Sequence, residues 1–235
     1  MEPHILIVDD EKSMRYTFES FLSDEGYRVT AASSCREGLA LLKEEDIDLV
    51  FADIFLPNES GNDFLKVAKE IQPDILVTMI TGAPSIDSAA ESLRLGAFDY
   101  IIKPITQEIL LRAVSIALKH NTLSKEKEQC RLNFEAIFRS VNDGIITVDE
   151  NMSVVEINDA IEKICDFQRD AVIGKPLDEL PDHCEGNCLN ALRETVENRQ
   201  PVELRFVECH TDRGRRQVVS VTATPLIGSR EHFSG

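Results

Sequence analysis

Short apolar runs alternate with stretches of helical period through residues 1–120. "HILIVD" reads as a strand, and "SMRYTFESFLSDEG" follows with apolar residues at helical spacing and a closing Gly26. The alternation repeats: "YRVTAA" then "CREGLALLKEE", "IDLVFAD" then "GNDFLKVAKEI", "DILVTMI" then "SIDSAAESLRLG", and "AFDYIIK" then "ITQEILLRAVSIALKH". Strand followed by helix, five times over, predicts an α/β doubly wound five-stranded parallel sheet with helices on both faces. The middle strands are apolar throughout, as burial on two faces requires.

In such a sheet, ligands gather at the carboxyl ends of the strands. The first strand ends in Asp9 and Asp10, the third in Asp53, the fourth in Thr81 and the fifth in Lys103. A lone Asp at a strand end is commonly a turn former or helix cap. Three acids, a hydroxyl and a lysine on one rim are harder to explain that way. Adjacent carboxylates repel, so a cation must compensate them or the pair must lie in open solvent. A hard divalent ion, Mg²⁺ before others, suits carboxylates, water and phosphate oxygens. Asp10 would bind it directly and Asp9 through water.

On these residues the first half resembles the receiver domain of two-component response regulators. "ILIVDDE", "DLVFADIFLP", "MITGAP" and "FDYIIKP" occur in order at the family's spacing. The resemblance implies a flavodoxin-like fold in which Asp53 is the phosphoacceptor for a histidine kinase. It implies that Asp10, Asp53 and the backbone carbonyl of Phe55 ligand Mg²⁺ with help from Asp9. Lys103 would pair with phosphoryl oxygens, Thr81 would donate its hydroxyl to them, and Tyr100 would be the switch residue. Tyr100 has a plainer reading, since an aromatic in a strand is often only packing. The chain would catalyse only its own phosphorylation and dephosphorylation and is otherwise not an enzyme. A phosphatase of the haloacid-dehalogenase type would want an acid two residues after the nucleophile, where Phe55 stands.

No Pro or Gly interrupts residues 105–140. Positions 109, 113, 116, 120, 123, 127, 130, 134 and 137 follow 4-3 spacing, and seven of the nine are apolar. This predicts an imperfect coiled-coil seam, with 121–131 a helical linker and the chain a homodimer. A helix packed on its own domain explains the first part equally well.

From residue 132 the pattern changes to short strands and helices. "GIITVDE" and "SVVEIND" predict a hairpin turning at Asn151, and "PVELRFVECHTD" and "RRQVVSVTATPLI" a longer one turning at 212–214. This antiparallel α+β pattern resembles a PAS domain over 132–235, chiefly in "IFRSVNDGIITVDENMSVVEINDAIEKI" and "VIGKPL". The resemblance implies a sensor or dimerisation module with a pocket whose ligand is unknown. Four strands are predicted where the family has five; either another chain closes the fold or, the favoured expectation, this is the front part of a longer regulator. A receiver followed by such a module resembles the front part of AAA+ transcriptional activators.

His183, Cys184, Cys188, Cys209 and His210 concentrate soft ligands. They form a second candidate site, for Zn²⁺, iron or a redox step. Buried thiols acting as small hydrophobes, or a reversible disulfide, are the alternatives. A metal- or redox-responsive PAS sensor, with phosphorylation secondary, is the competing functional reading.

The formal net charge of −17 argues against nucleic-acid binding by this chain, because acidic surface repels phosphate. No apolar run approaches spanning length, and "MEPHILIV" enters a strand without a leader. The expected compartment is the cytoplasm, with no membrane partner.

Overall fold

The computed structural model describes residues 2–56, 59–166, 168–180, 187–210 and 216–226. They fall into two compact units, Met1–Glu128 and Gln129–Gly235.

In the first unit, five strands form one parallel sheet: β1 (His4–Val8), β2 (Arg28–Ala32), β3 (Leu49–Asp53), β6 (Leu76–Thr81) and β7 (Asp99–Ile102), in the order β2-β1-β3-β6-β7. Two short strands, β4 (Phe55–Leu56) and β5 (Glu59–Ser60), pair with each other after β3. The helices are α1 (Lys12–Asp24), α2 (Cys35–Glu44), α3 (Gly61–Ile71), α4 (Ile86–Arg94) and α5 (Gln107–Ser140). The sheet order places β1 and β3 side by side, so the chain reverses its winding between them. That is the point where an open parallel sheet leaves a crevice at its carboxyl edge.

Strand periodicity explains the two cores. Residues alternate sides of a strand. Leu6, Val8, Val50, Ala52, Val77 and Met79 face a layer containing Leu42 of α2 and Phe64, Leu65 and Ala68 of α3. Ile5, Ile7, Leu49, Phe51, Leu76 and Ile80 face Phe18 and Leu22 of α1 and Leu110, Val114 and Ala117 of α5. Every residue of β1, β3 and β6 is buried, whereas β2 and β7 at the edges are only partly covered. Ser34 caps α2 through the Glu37 amide, Ser85 and Ser88 form a reciprocal capping box at α4, and Gly26 closes α1 at φ +84°.

Helix α5 runs unbroken from Gln107 to Ser140. The predicted 4-3 seam needs one correction: Ala113 is buried against the sheet. The exposed apolar positions are Ile109, Ile116, Leu123, Leu132, Phe134 and Ile137, and Cys130 is exposed as well. Residues 109, 116, 123, 130 and 137 therefore make a stripe of seven-residue period without Ala113. Packing on its own sheet thus claims one face of the helix, and the stripe uses another.

In the second unit, β8 (Ile146–Val148) and β9 (Val154–Ile157) form one antiparallel ladder, and β10 (Val202–His210) and β11 (Arg216–Ala223) form another. Their helices are α6 (Asp159–Cys165), α7 (Arg169–Val172) and α8 (Asn187–Asn198). The first turn is built by Asp149, whose Oδ1 accepts from the amides of Asn151 and Ser153 at 2.9 Å each. The turn expected at 212–214 lies outside the described residues. A bulge at Phe206 shifts the register of the long hairpin between Leu204 and Val207. Val148, Val154, Ile157, Ile161, Val172, Leu177 and Leu180 form the core of this unit.

Among the described residues, no helix is long and apolar enough to cross a membrane.

Candidate functional site

The ends of β1, β3, β6 and β7 bring the predicted rim residues together. Asp9, Asp10 and Asp53 each offer an oxygen within 4.8 Å of the others, and they are the only such cluster of metal-ligating side chains among the described residues. Asp9 and Asp53 are buried, at 2% and 5% exposure, while Asp10 faces solvent. Hard oxygen donors with an exposed side fit a small divalent cation that keeps several waters, as Mg²⁺ does.

Lys103 supplies the buried charge balance. Its Nζ donates to Asp53 Oδ2 at 2.6 Å and to Asp9 Oδ2 at 3.0 Å, and Glu11 lies at 3.9 Å. Burial is the largest influence on the Lys103 ammonium and pulls its pKa down. The hydrogen bonds and charges of Asp53 and Asp9 together more than offset it, so the pKa is raised and the lysine stays charged. Burial pushes the Asp9 carboxyl up, against the pull of Lys103 and of the Glu11 amide, which donates to Asp9 Oδ1 at 2.8 Å.

Thr81 ends β6 fully buried, and its Oγ1 accepts from the Ala83 amide at 3.1 Å. Its carbonyl accepts from the Lys103 amide at 2.7 Å, so the backbone ties the hydroxyl and the lysine together. Phe55 donates its amide to Asp53 Oδ1 at 2.9 Å, and its ring is 56% exposed. The Tyr100 ring packs against the α2–α3 core, and its hydroxyl shares a hydrogen bond with Ser88 Oγ of α4 at 3.0 Å. Tyr100→Phe should cost about 0.5–1.5 kcal/mol in urea denaturation. An unchanged midpoint would mean the Ser88 contact contributes nothing to stability.

Three contributors were not anticipated from the sequence. Arg15 Nη1 donates to the carbonyls of Asp9 and Asp10 at 2.6 and 2.9 Å and so holds the acidic loop by its backbone. Its place in the first turn of α1, one turn beyond the acids, was the available signal. Gly61 opens α3 against the end of β3: a Cβ there would lie 2.1 Å from the Asp53 carbonyl oxygen and 2.8 Å from Ile54 Cα. Gly61→Ala should therefore displace the Asp53 backbone and destabilise the unit by about 1–3 kcal/mol, read from the urea midpoint. A midpoint equal to the parent's would show that the approach relaxes freely. Asn62, buried beside them, accepts from Ser92 Oγ at 2.8 Å and donates to Glu91 Oε2 at 3.1 Å, which links α3 to α4.

Two histidines away from the rim have structural partners. His4 bonds Thr30 Oγ1 at 2.8 Å and the Asp46 carbonyl at 3.1 Å, at the amino end of the sheet. His120 packs on Phe98 with ring centroids 5.2 Å apart. Of the cysteine–histidine set, His183 and Cys184 lie outside the described residues. Cys209 and His210 fall on β10, with side chains also outside the description. Cys188 packs against Val207 and its neighbours. The Zn²⁺ or iron expectation thus gains no geometry among the described residues.

Comparison with known proteins agrees with this arrangement. Residues 5–115 match the response regulator receiver domain, and residues 132–235 match the PAS fold. The chain is 33% identical over 151 residues to the alginate biosynthesis transcriptional regulatory protein AlgB of Pseudomonas aeruginosa, covering 64% of this chain and 33% of AlgB. It is 38% identical over 121 residues to the transcriptional regulatory protein ZraR of Klebsiella oxytoca, covering 52% of this chain and 27% of ZraR. The aligned stretch is thus a third or less of those two proteins. A CheY-like receiver domain protein from Methanospirillum hungatei superimposes with a TM-score of 0.50 at 34% identity, over 55% of this chain and 99% of that one. A receiver domain from Clostridium thermocellum does so at 0.50 and 35%, over 52% and 98%. The chain belongs to the response regulator family, with a receiver domain over residues 5–115 followed by a PAS domain over 132–235.

Proposed function

We propose that Asp53 accepts a phosphoryl group from the phosphohistidine of a histidine kinase, and that the state of Asp53 is passed along α5 to the PAS unit. The observation that carries this reading is the placement of Lys103 Nζ, 2.6 Å from Asp53 and 3.0 Å from Asp9, within a cluster of three carboxylates. Phosphoryl transfer depends mainly on positioning and charge neutralisation, and this rim supplies both. Mg²⁺, held by Asp10, Asp53 and the Phe55 carbonyl with Asp9 alongside, supplies further positive charge when bound.

A carboxylate oxygen of Asp53 attacks phosphorus, the phosphorus–nitrogen bond of the donor breaks, and the imidazole nitrogen keeps the electron pair and takes up a proton. Lys103 then pairs with the phosphoryl oxygens that replace the lost carboxylate charge. The buried Thr81 hydroxyl turns from the Ala83 amide towards the same oxygens. Tyr100 sits on the strand joined to both, and its bond to Ser88 is the contact that this movement would break or remake. Receiver domains work with histidine kinases, and a homodimer through the exposed stripe of α5 fits its seven-residue period. A cytoplasmic setting suits a kinase-fed relay.

Incubating the full chain with acetyl phosphate and Mg²⁺ should add one phosphoryl mass, mapped to Asp53. Asp53→Asn or chelation of Mg²⁺ should abolish it. Retained labelling in Asp53→Asn would overturn the assignment.

A further inference from the structure

Of the three carboxylates at the rim, two are anchored by their own oxygens and one is not. Asp9 accepts from Lys103 Nζ at 3.0 Å and from the Glu11 amide at 2.8 Å. Asp53 accepts from Lys103 Nζ at 2.6 Å and from the Phe55 amide at 2.9 Å. The exposed Asp10 carboxylate has no hydrogen-bond or ion-pair partner among the described residues. Asp10 also lies between the end of β1 at Val8 and the start of α1 at Lys12, so neither a strand nor a helix holds it.

What fixes Asp10 is its backbone. Its carbonyl accepts from Arg15 Nη1 at 2.9 Å, and the same nitrogen donates to the Asp9 carbonyl at 2.6 Å. Arg15 is half-buried and belongs to the first turn of α1, so the staple runs from a rigid element onto the loop. A group that orients a metal ligand from behind sets how well the ligand meets the ion.

Divalent ions differ in how much they need such order. Mg²⁺ demands near-ideal octahedral geometry at about 2.0–2.1 Å, whereas Ca²⁺ accepts flexible arrangements of oxygens at about 2.3–2.6 Å. A misplaced carboxylate therefore costs Mg²⁺ more than Ca²⁺. Charge acts differently: a guanidinium near the site repels both ions alike, because they carry the same charge.

We infer that Arg15 is a positioning residue that raises the preference of the rim for Mg²⁺ over Ca²⁺. It does so by fixing the Asp10 backbone, and through it the one carboxylate with no anchor of its own. The inference rests on the proposed holding of a cation by these acids and not on phosphoryl transfer to Asp53.

Calorimetric titration of the full chain with MgCl₂ and, separately, with CaCl₂ tests it. Arg15→Met keeps an unbranched side chain and removes the donors. It should weaken Mg²⁺ about tenfold, the usual cost of losing a residue that orients a metal ligand, and Ca²⁺ about twofold or less. Arg15→Lys keeps the charge but not the planar guanidinium, and should fall between the parent and Arg15→Met. If Arg15 acted only through its charge, Arg15→Met would bind both ions more tightly and to the same degree. If it served only the stability of the loop, both affinities would stay at the parent's values in the folded variant. Either result would overturn the inference. Should Arg15→Met not fold, Arg15→Lys decides, and a parent-like ratio of the two affinities there would overturn it. Asp10→Asn removes the ligand itself and should weaken both ions about tenfold or more. Parent-like Mg²⁺ affinity in Asp10→Asn would overturn the cation site, and the inference with it. Selective Mg²⁺ binding in a chain that acetyl phosphate does not label would overturn the phosphoryl-acceptor reading alone.

Discussion

Lys103→Met should destabilise the receiver unit by about 3–5 kcal/mol at pH 8, because it strips the cation from two buried carboxylates. Asp9 and Asp53 both bond the Lys103 ammonium and are almost fully enclosed. Removing one partner of such a group leaves an uncompensated buried charge, which costs far more than the pair contributed. The effect carries a pH signature. Burial already raises the Asp9 pKa while Lys103 holds it back, so loss of the lysine raises it further. A carboxyl whose folded pKa exceeds its unfolded value binds more protons in the folded state. Its contribution to stability is present below the unfolded pKa and is lost as pH rises through the folded one. The deficit of Lys103→Met should therefore be smaller at pH 5 than at pH 8. At pH 8, added Mg²⁺ should restore part of it if the three carboxylates hold the ion as proposed. Urea titrations at both pH values, with and without MgCl₂, read all of this. A deficit independent of pH would mean that Lys103 is not what compensates the acids.

Asn158→Ala should be as damaging to the second unit. Asn158 is fully buried at the start of α6. Its Nδ2 donates to the carbonyls of Phe138, Val141 and Asp143 at 3.2, 3.3 and 2.9 Å. Its Oδ1 accepts from the amides of Ile145 and Ile161 at 2.9 and 3.2 Å. One amide thus caps the beginning of α6 and satisfies carbonyls at and just beyond the end of α5, groups that a helix leaves without intrahelical partners. Alanine would leave the buried Phe138 carbonyl and the half-buried groups of Val141 and Ile145 without this partner, at about 1–3 kcal/mol for each group that stays buried and unpaired. Hydrogen exchange should show lost protection from 144 to 165 in Asn158→Ala, with the sheet of the first unit unchanged. Parent-like protection there would show that water replaces the side chain without cost. If the state of Asp53 passes along α5 as proposed, the same variant should also interrupt it, because Asn158 joins the end of α5 to the core of the PAS unit.

How much was legible beforehand differs between the two halves. In the receiver, buried parallel strands write themselves as continuous apolar runs, and strand ends dictate where polar residues collect. The five strands, the order of the helices and the rim residues Asp9, Asp10, Asp53, Thr81 and Lys103 could all be read that way. The two hairpins of the second half were legible too, from alternation and turn residues. Asn158 was not singled out from the sequence, although an Asn ahead of an apolar-periodic stretch is an N-cap signal.

Tertiary structure decided the rest, because the contacts join residues far apart in the chain and periodicity records only near neighbours. Nothing in the sequence says that Lys103 lies nearer Asp53 than Asp9, or that Arg15 bonds carbonyls rather than carboxylates. Gly61 looks like an ordinary turn residue until the backbone of Asp53 occupies the space a Cβ would need. Ala113 fits the heptad arithmetic of α5, yet sheet packing takes it for the core. An apolar cavity with an unpartnered Thr195 in its wall appears only once β8, α6, α8 and β11 close around it. Amino-acid order thus determined which elements form and where the acids gather. Only the packed fold determined which charge meets which, and which buried hydroxyl was left without a partner.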